Sequence, residues 1–91
     1  MKFYNYEVSQ ETIDYIKQAV EELGGVRHAS DFIGITPRYL RRIMNGHCHM
    51  PLARALKLQY LTNNRYDFKK LLCQQHREYL ENHYSPTNYY R

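Results

Sequence analysis

Glycine and proline divide the middle of this sequence into pieces that suit only short helices. The residues that break the chain are Gly24, Gly25, Gly34, Asn45, Gly46 and Pro51. The two pieces between Gly25 and Asn45 are 8 and 10 residues long. Glycine is favoured where a helix ends in a left-handed residue, and proline is favoured in the first turn of the next helix. The pattern therefore predicts short helices joined by tight turns.

Apolar residues between these breaks recur at spacings of three and four, as they do on the buried face of a helix. A first helix is predicted from Ser9, its N-cap, to Leu23, and a second over residues 26–33. The residues predicted to be buried in these two helices are Ile13, Ile16, Val20, Leu23, Ala29, Phe32 and Ile33. No segment has a convincing strand pattern, so we expect an all-α fold.

Three more helices are predicted in the remainder of the chain. The third covers residues 37–45 with Thr36 as its N-cap, and the fourth covers 51–61. The fifth covers 67–83, with Asp67 as its N-cap. The apolar side of the fifth helix would carry Phe68, Leu71, Leu72, Tyr79 and Leu80. This stripe either forms a dimer contact or docks in part on its own domain.

Length and composition set the broad class of the protein. Ninety-one residues fit one domain. No apolar run approaches the roughly 20 residues that cross a bilayer, and residues 1–8 do not resemble a signal peptide. Two cysteines, Cys48 and Cys73, are too few for a disulfide framework and predict reduced thiols. We therefore expect a cytoplasmic protein without a membrane partner.

Positive charge is concentrated in one segment. Residues 32–66 contain five Arg, one Lys and no acidic residue, a net charge of +6, whereas residues 1–31 contain three basic and six acidic residues, a net charge of −3. A positive field focused on one part of a small domain favours a polyanionic partner such as nucleic acid. A solvated basic surface without a partner is the alternative.

The second and third predicted helices have the features of a helix-turn-helix. That motif needs small residues in its first helix, a glycine in the turn, and apolar residues on the inner face of its second helix. Ala29 and Ser30 are the small residues, Gly34 is the turn glycine, and Leu40 and Ile43 are the inner residues.

The outer face of the third predicted helix is basic. Arg38, Arg41, Arg42 and Asn45 are spaced i, i+3, i+4 and i+7, so they share one stripe. Arg can bond bidentately to guanine and Asn to adenine in the major groove, so the stripe predicts double-stranded DNA as the partner. Further DNA contacts are predicted for Thr36, Pro37, Tyr39, His47, Arg54, Lys57 and Arg65, the last three with phosphates. Tyr39 has half-buried packing as its alternative.

A set of residues also carries a likeness to a known family. They are Gly24 with Gly25, the segment 31–37 (DFIGITP), Asn45 with Gly46, Pro51, Arg54, Leu56, Leu58, Thr62 and the segment 65–68 (RYDF). In these positions residues 16–68 resemble the Cro/YdaS-type helix-turn-helix proteins, small bacterial and phage transcription regulators of which some are antitoxin-like. The resemblance implies a small five-helix lambda-repressor/Cro-like domain, a homodimer that binds DNA through its third helix and usually represses.

The sequence as a whole predicts a chain of four parts. Residues 1–8 are an N-terminal arm, 9–66 the DNA-binding domain, 67–83 a C-terminal helix that could dimerise, and 84–91 a mobile tail. The operator sequence and the regulated gene do not follow from the sequence.

Other chemistry has little support. His47, Cys48, His49, Cys73 and His76 are the residues of metal-ligand type, but they form no paired-ligand signature, so we expect no metal and no other cofactor. No glycine-rich phosphate loop or GxSxG motif is present, which favours a protein that is not an enzyme. The remaining alternative is an antitoxin or adaptor that binds a toxin or another protein partner, with DNA binding secondary or absent.

Overall fold

The computed structural model of the protein describes residues 8–83, apart from the side chain of His83. This range contains six helices and no strand, which confirms the all-α prediction. The helices are α1 (Gln10–Glu22), α2 (Val26–Ile33), α3 (Pro37–Met44), α4 (Leu52–Leu61), α5 (Phe68–Leu71) and α6 (Gln74–His83). Within the described range, none of the helices has the length and apolar character needed to cross a membrane. Apart from Val8, the predicted arm 1–8 lies outside the described residues, as does the tail 84–91.

Three helices begin at the polar caps that the sequence predicts. Ser9, Thr36 and Asp67 each accept a hydrogen bond of 3.1 Å from a backbone N–H two or three residues further along the chain. These bonds satisfy donors that the first helical turn leaves without an intrahelical acceptor. Pro37 occupies the first position of α3, where a missing N–H costs nothing.

A turn of three residues, 34–36, joins α2 to α3 and requires glycine at its first position. Gly34 has φ +81° and ψ 34°, in the left-handed region. Most other residues pay about 1 kcal/mol or more to adopt that conformation. The N–H groups of Gly34 and Ile35 both donate to the carbonyl oxygen of Ser30, at 2.9 and 3.0 Å. These two bonds end α2 and redirect the chain into α3.

One apolar core holds helices α1 to α5 together. Its buried members are Ile16, Ala19, Val20, Ala29, Ile33, Leu40, Ile43, Met50, Ala55, Leu58, Leu71 and Leu72. α3 packs against both α1 and α2. It contributes Leu40 and Ile43, which are both completely buried. α2 buries the small residues Ala29 and Ser30, so its axis can lie close to those of its neighbours.

The predicted fifth helix is in fact two helices. α5 ends at Leu71, Leu72 is extended with ψ 156°, and α6 begins at Gln74. The three consecutive residues Leu71, Leu72 and Cys73 are all buried. Three consecutive helical residues spread over about 200° of the helix circumference, so the break lets all three reach the core. The Arg77 guanidinium donates to the carbonyl oxygens of residues 69 and 72, at 2.9 and 3.1 Å, and so satisfies the end of α5.

Most of the apolar stripe predicted on residues 67–83 is used inside the domain. Leu71 and Leu72 belong to the core, and Phe68 and Leu80 pack against it. Tyr79 is the exception, because 58% of its surface is exposed. Docking of α5 on its own domain is therefore what the structure shows, and Tyr79 is the member of the stripe that α6 leaves largely exposed.

The prediction that Phe32 is buried is wrong. Its side chain is 47% exposed and stacks on His28, with the ring centroids 6.3 Å apart. The buried side of α2 is already formed by Ala29, Ser30 and Ile33. Phe32 lies at the edge of that side, and the stacking on His28 shields one of its faces.

We expect Ala29→Glu to unfold the protein or to lower its free energy of unfolding by roughly 3 kcal/mol or more, because the new carboxylate would be buried without a partner. Ala53 is exposed on α4, so Ala53→Glu is the matched control and should change stability by less than about 0.5 kcal/mol. Urea denaturation followed by circular dichroism measures both. Equal stability of the two variants would contradict the packing of α2.

Candidate nucleic-acid interface

The exposed side of α3 is formed by polar and cationic side chains. Arg38, Arg41, Arg42 and Asn45 are all exposed. Leu40 and Ile43, on the other side of the helix, are completely buried. At 3.6 residues per turn the four polar residues fall within about 100° of arc. The structure thus brings together the four residues that the sequence placed in one stripe.

The positive charge of this stripe is not neutralised within the described part of the chain. The guanidinium groups of Arg38 and Arg41 form no ion pair or hydrogen bond with any residue in the range 8–83. Three exposed carboxylates lie on α1, at Glu11, Asp14 and Glu21. α1 and α3 pack against each other through their buried sides, so these carboxylates lie on the side of α1 that does not contact α3. The cationic surface is therefore left available for an external anion.

Arg42 differs from the other two arginines of the stripe because one of its donors is already engaged. Its Nε–H donates to the Sγ atom of Cys48 at 3.4 Å. Cys48 lies in the loop 45–51 and packs against the core. The guanidinium of Arg42 is thus held at the edge of the stripe by a fixed acceptor.

The N-terminal end of α3 adds polar groups to the stripe. Thr36 is exposed, and its oxygen accepts from the Tyr39 N–H while its hydroxyl proton can still be donated outward. The backbone N–H of Arg38 lies in the first helical turn, where no intrahelical acceptor exists. Tyr39 is half-buried against the core, which supports its packing alternative.

Arg54 lies against the turn that precedes α3. A Cβ atom at Gly34 would be only 3.4 Å from Nη1 of Arg54. A contact of that length is an ordinary one, so glycine is required here by its backbone conformation and not by the space that Arg54 occupies. Lys57 is one turn further along α4 and exposed, and His47 is exposed in the loop after α3.

Arg65 contacts a carboxylate on helix α1. Its guanidinium forms an ion pair with the Glu22 carboxylate at the end of α1. The pair is partly exposed, so it adds little stability, but it places a negative charge beside this arginine. Among the predicted phosphate contacts, Arg65 is the one whose charge is compensated by a described carboxylate.

Arg27 is a further basic residue near α3 that the charge pattern of the sequence does not indicate as a DNA contact. It lines a shallow groove of about 370 Å³ together with Asp31 of α2 and Pro37, the first residue of α3. Its signal in the sequence was hidden because Arg27 belongs to the acidic segment 1–31. The fold places it beside the beginning of α3, although Asp31 opposes its charge in the same groove.

The residues of metal-ligand type are only partly brought together. His49 and His76 face each other with ring centroids 5.9 Å apart, Cys48 accepts from Arg42, and Cys73 is buried. Residues 8–83 contain no group of three His, Cys, Asp or Glu side chains arranged to hold a metal ion. Burial lowers the pKa of His76, and the neighbouring His49 lowers it further.

Comparison with known proteins supplies no relative from which a function could be transferred. No protein-family model, no curated protein and no solved structure matches the chain. The resemblance to Cro/YdaS-type proteins therefore depends on the residues of this sequence alone. The geometry of the basic face, the exposed stripe of α3, is the remaining source of information about function.

The lowered pKa of His76 makes stability depend on pH. The unfolded chain binds this proton more tightly than the folded chain, so the contribution of His76 is complete above its ordinary value of 6.5 and is lost as the pH falls below it. We expect the melting temperature to fall less steeply below that pH in His76→Gln than in the wild type. The exposed His28 provides the control variant His28→Gln. Identical pH profiles for wild type and His76→Gln would contradict the assignment.

Proposed function

We propose that the protein is a sequence-specific regulator that binds double-stranded DNA and inserts α3 into the major groove. The observation that carries the proposal is the exposed stripe of Arg38, Arg41, Arg42 and Asn45, with no described carboxylate to neutralise it. An α-helix fits the major groove, which is about 12 Å wide. Three arginines and one asparagine are the side chains best suited to read guanine and adenine edges there.

The connection of α2 and α3 supports this role. A recognition helix needs a fixed orientation relative to the rest of its domain. The left-handed Gly34 and the buried residues Leu40 and Ile43 supply that orientation. The small buried residues Ala29 and Ser30 agree with the helix-turn-helix pattern, which is the finer fold assignment that we propose.

Phosphate contacts would fix the domain on the duplex. Arg54 beside the turn, Lys57 on α4, and Thr36 at the beginning of α3 are the groups that we assign to this task, with His47 in the loop after α3. Such contacts carry no sequence information but set the register of the reading helix. The Glu22 carboxylate should weaken any contribution from Arg65.

The resemblance to Cro/YdaS-type proteins adds two elements to the proposal. It implies that the bound protein usually represses transcription and that it acts as a homodimer. A single recognition helix reads only a few base pairs, and dimers gain specificity by reading two half-sites about 34 Å apart.

Selection of bound duplexes from a random pool tests the proposal. We expect one enriched sequence with an inverted repeat, and an affinity that falls steeply as salt is raised. Retention of an acidic protein without any preference among duplexes would instead favour the adaptor alternative. Absence of both DNA binding and salt dependence would exclude a role for the basic face in binding nucleic acid.

We expect Arg41→Ala and Arg42→Ala each to weaken binding to the selected duplex by about 1 to 3 kcal/mol if they contact bases. Because both side chains are exposed, the melting temperature should stay close to that of the wild type. Lys17 is an exposed cation on α1, so Lys17→Ala removes the same charge from another surface and serves as the control. Fluorescence anisotropy with labelled duplex measures all three. Loss of affinity only in the control would place the binding surface on α1.

We also expect two copies of the protein on the selected duplex. If α6 forms the contact between copies, Tyr79→Glu should lower cooperative binding, because it places a charge in an apolar interface. Tyr60 on α4 is 77% exposed, and Tyr60→Glu is the matched control. Sedimentation velocity with and without DNA gives the stoichiometry. A 1:1 complex at saturating protein would rule out the paired reading of half-sites.

A further inference from the structure

The hydrogen bond between Arg42 and Cys48 distinguishes one arginine of the stripe from the others. The guanidinium groups of Arg38 and Arg41 form no hydrogen bond or ion pair with the described residues, so these long side chains are free to change rotamer. Arg42 donates its Nε–H to Sγ of Cys48 at 3.4 Å. Cys48 is itself held by packing against the core. The acceptor is therefore part of the rigid domain, although it lies six residues beyond Arg42 in the sequence.

This contact restricts how Arg42 can bind another molecule. A guanidinium has five N–H donors, one on Nε and four on the two Nη atoms. It can present a pair of donors either from its side, through Nε and one Nη, or from its end, through both Nη atoms. Because Cys48 occupies Nε, only the end-on pair stays available. Two parallel donors in that arrangement match the O6 and N7 acceptors of guanine.

We propose that Cys48 is a positioning residue for Arg42, and that Arg42 is the specificity-determining residue of the basic face, presenting both Nη atoms to a guanine. The inference rests on the proposed function, because it concerns how the same face reads DNA. A thiol suits the task because sulfur is a weak acceptor. It orients the guanidinium without competing strongly with the base for its donors. Arg41 has no such support and is assigned to adaptable contacts.

If Cys48 positions Arg42, its loss should reduce the preference for the selected duplex over random duplex, and should not lower the affinity for all DNA. In Cys48→Ala the Arg42 side chain becomes free, so its ordering must occur on binding. We expect the ratio of affinities for the selected duplex and random duplex to fall by about two- to tenfold, the cost of immobilising one side chain with many rotamers. Binding to random duplex should stay unchanged, because the charge of Arg42 remains.

Three further variants separate positioning from an effect on folding. Cys48→Ser keeps an acceptor at the same place and should restore most of the ratio. Cys73→Ala removes the other thiol of the chain, which is buried between α5 and α6, and should leave the ratio unchanged. In an Arg42→Ala background, Cys48→Ala should have no additional effect on the ratio, because the group that it positions is gone.

Fluorescence anisotropy on the full-length chain, with the selected duplex and a scrambled duplex, measures every ratio. An unchanged ratio in Cys48→Ala, or an equal further loss in the Arg42→Ala background, would overturn the positioning role. Those outcomes differ from a failure of the proposed function, in which the wild-type protein itself would not prefer the selected duplex. Should Cys48→Ala not fold, Cys48→Val, which fills the site but offers no acceptor, takes its place in both backgrounds and should lower the ratio only when Arg42 is present.

Discussion

The burial of Leu40 and Ile43 is the contact on which the basic face depends. An isolated helix of eight residues is unstable in water, because the cost of nucleation exceeds what a few hydrogen bonds return. α3 therefore exists because these two residues, both completely buried, pack it against α1 and α2. The same contact fixes which side of the helix is exposed. Arg38, Arg41, Arg42 and Asn45 are exposed together because the opposite side of α3 is committed to the core.

Several parts of the fold could be predicted from the sequence because their causes are local. The caps at Ser9 and Thr36 and the glycine turn at Gly34 involve residues within five positions of one another, and each occurs where the pattern indicates. The stripe on α3 was predictable for the same reason, since helical periodicity alone places its members on one side.

Other features depend on contacts between distant residues. The break between α5 and α6 has no glycine or proline to signal it and is stabilised by the side chain of Arg77, which reaches back to two carbonyl oxygens of the preceding helix. The ion pair of Arg65 with Glu22 joins residues 43 positions apart in the sequence. The exposure of Phe32 depends on which neighbours already fill the inner side of α2. A run of three apolar residues at 71–73, longer than one helical face accommodates, is the signal that could have indicated the break.

The placement of carboxylates on α1 and guanidinium groups on α3 affects how the protein approaches a charged partner by diffusion, before the two molecules touch. Because these charges of opposite sign lie on different surfaces, they give the molecule an electric dipole moment. In the field of a polyanion such a molecule rotates as it diffuses, so that encounters occur preferentially through the cationic side. A larger fraction of collisions then occurs in the orientation that allows binding, which raises the association rate. This effect disappears at high salt, because the Debye length is only about 3 Å at 1 M. The charge of the acidic helix α1 would thus raise the rate of association without any need for α1 to contact the polyanion.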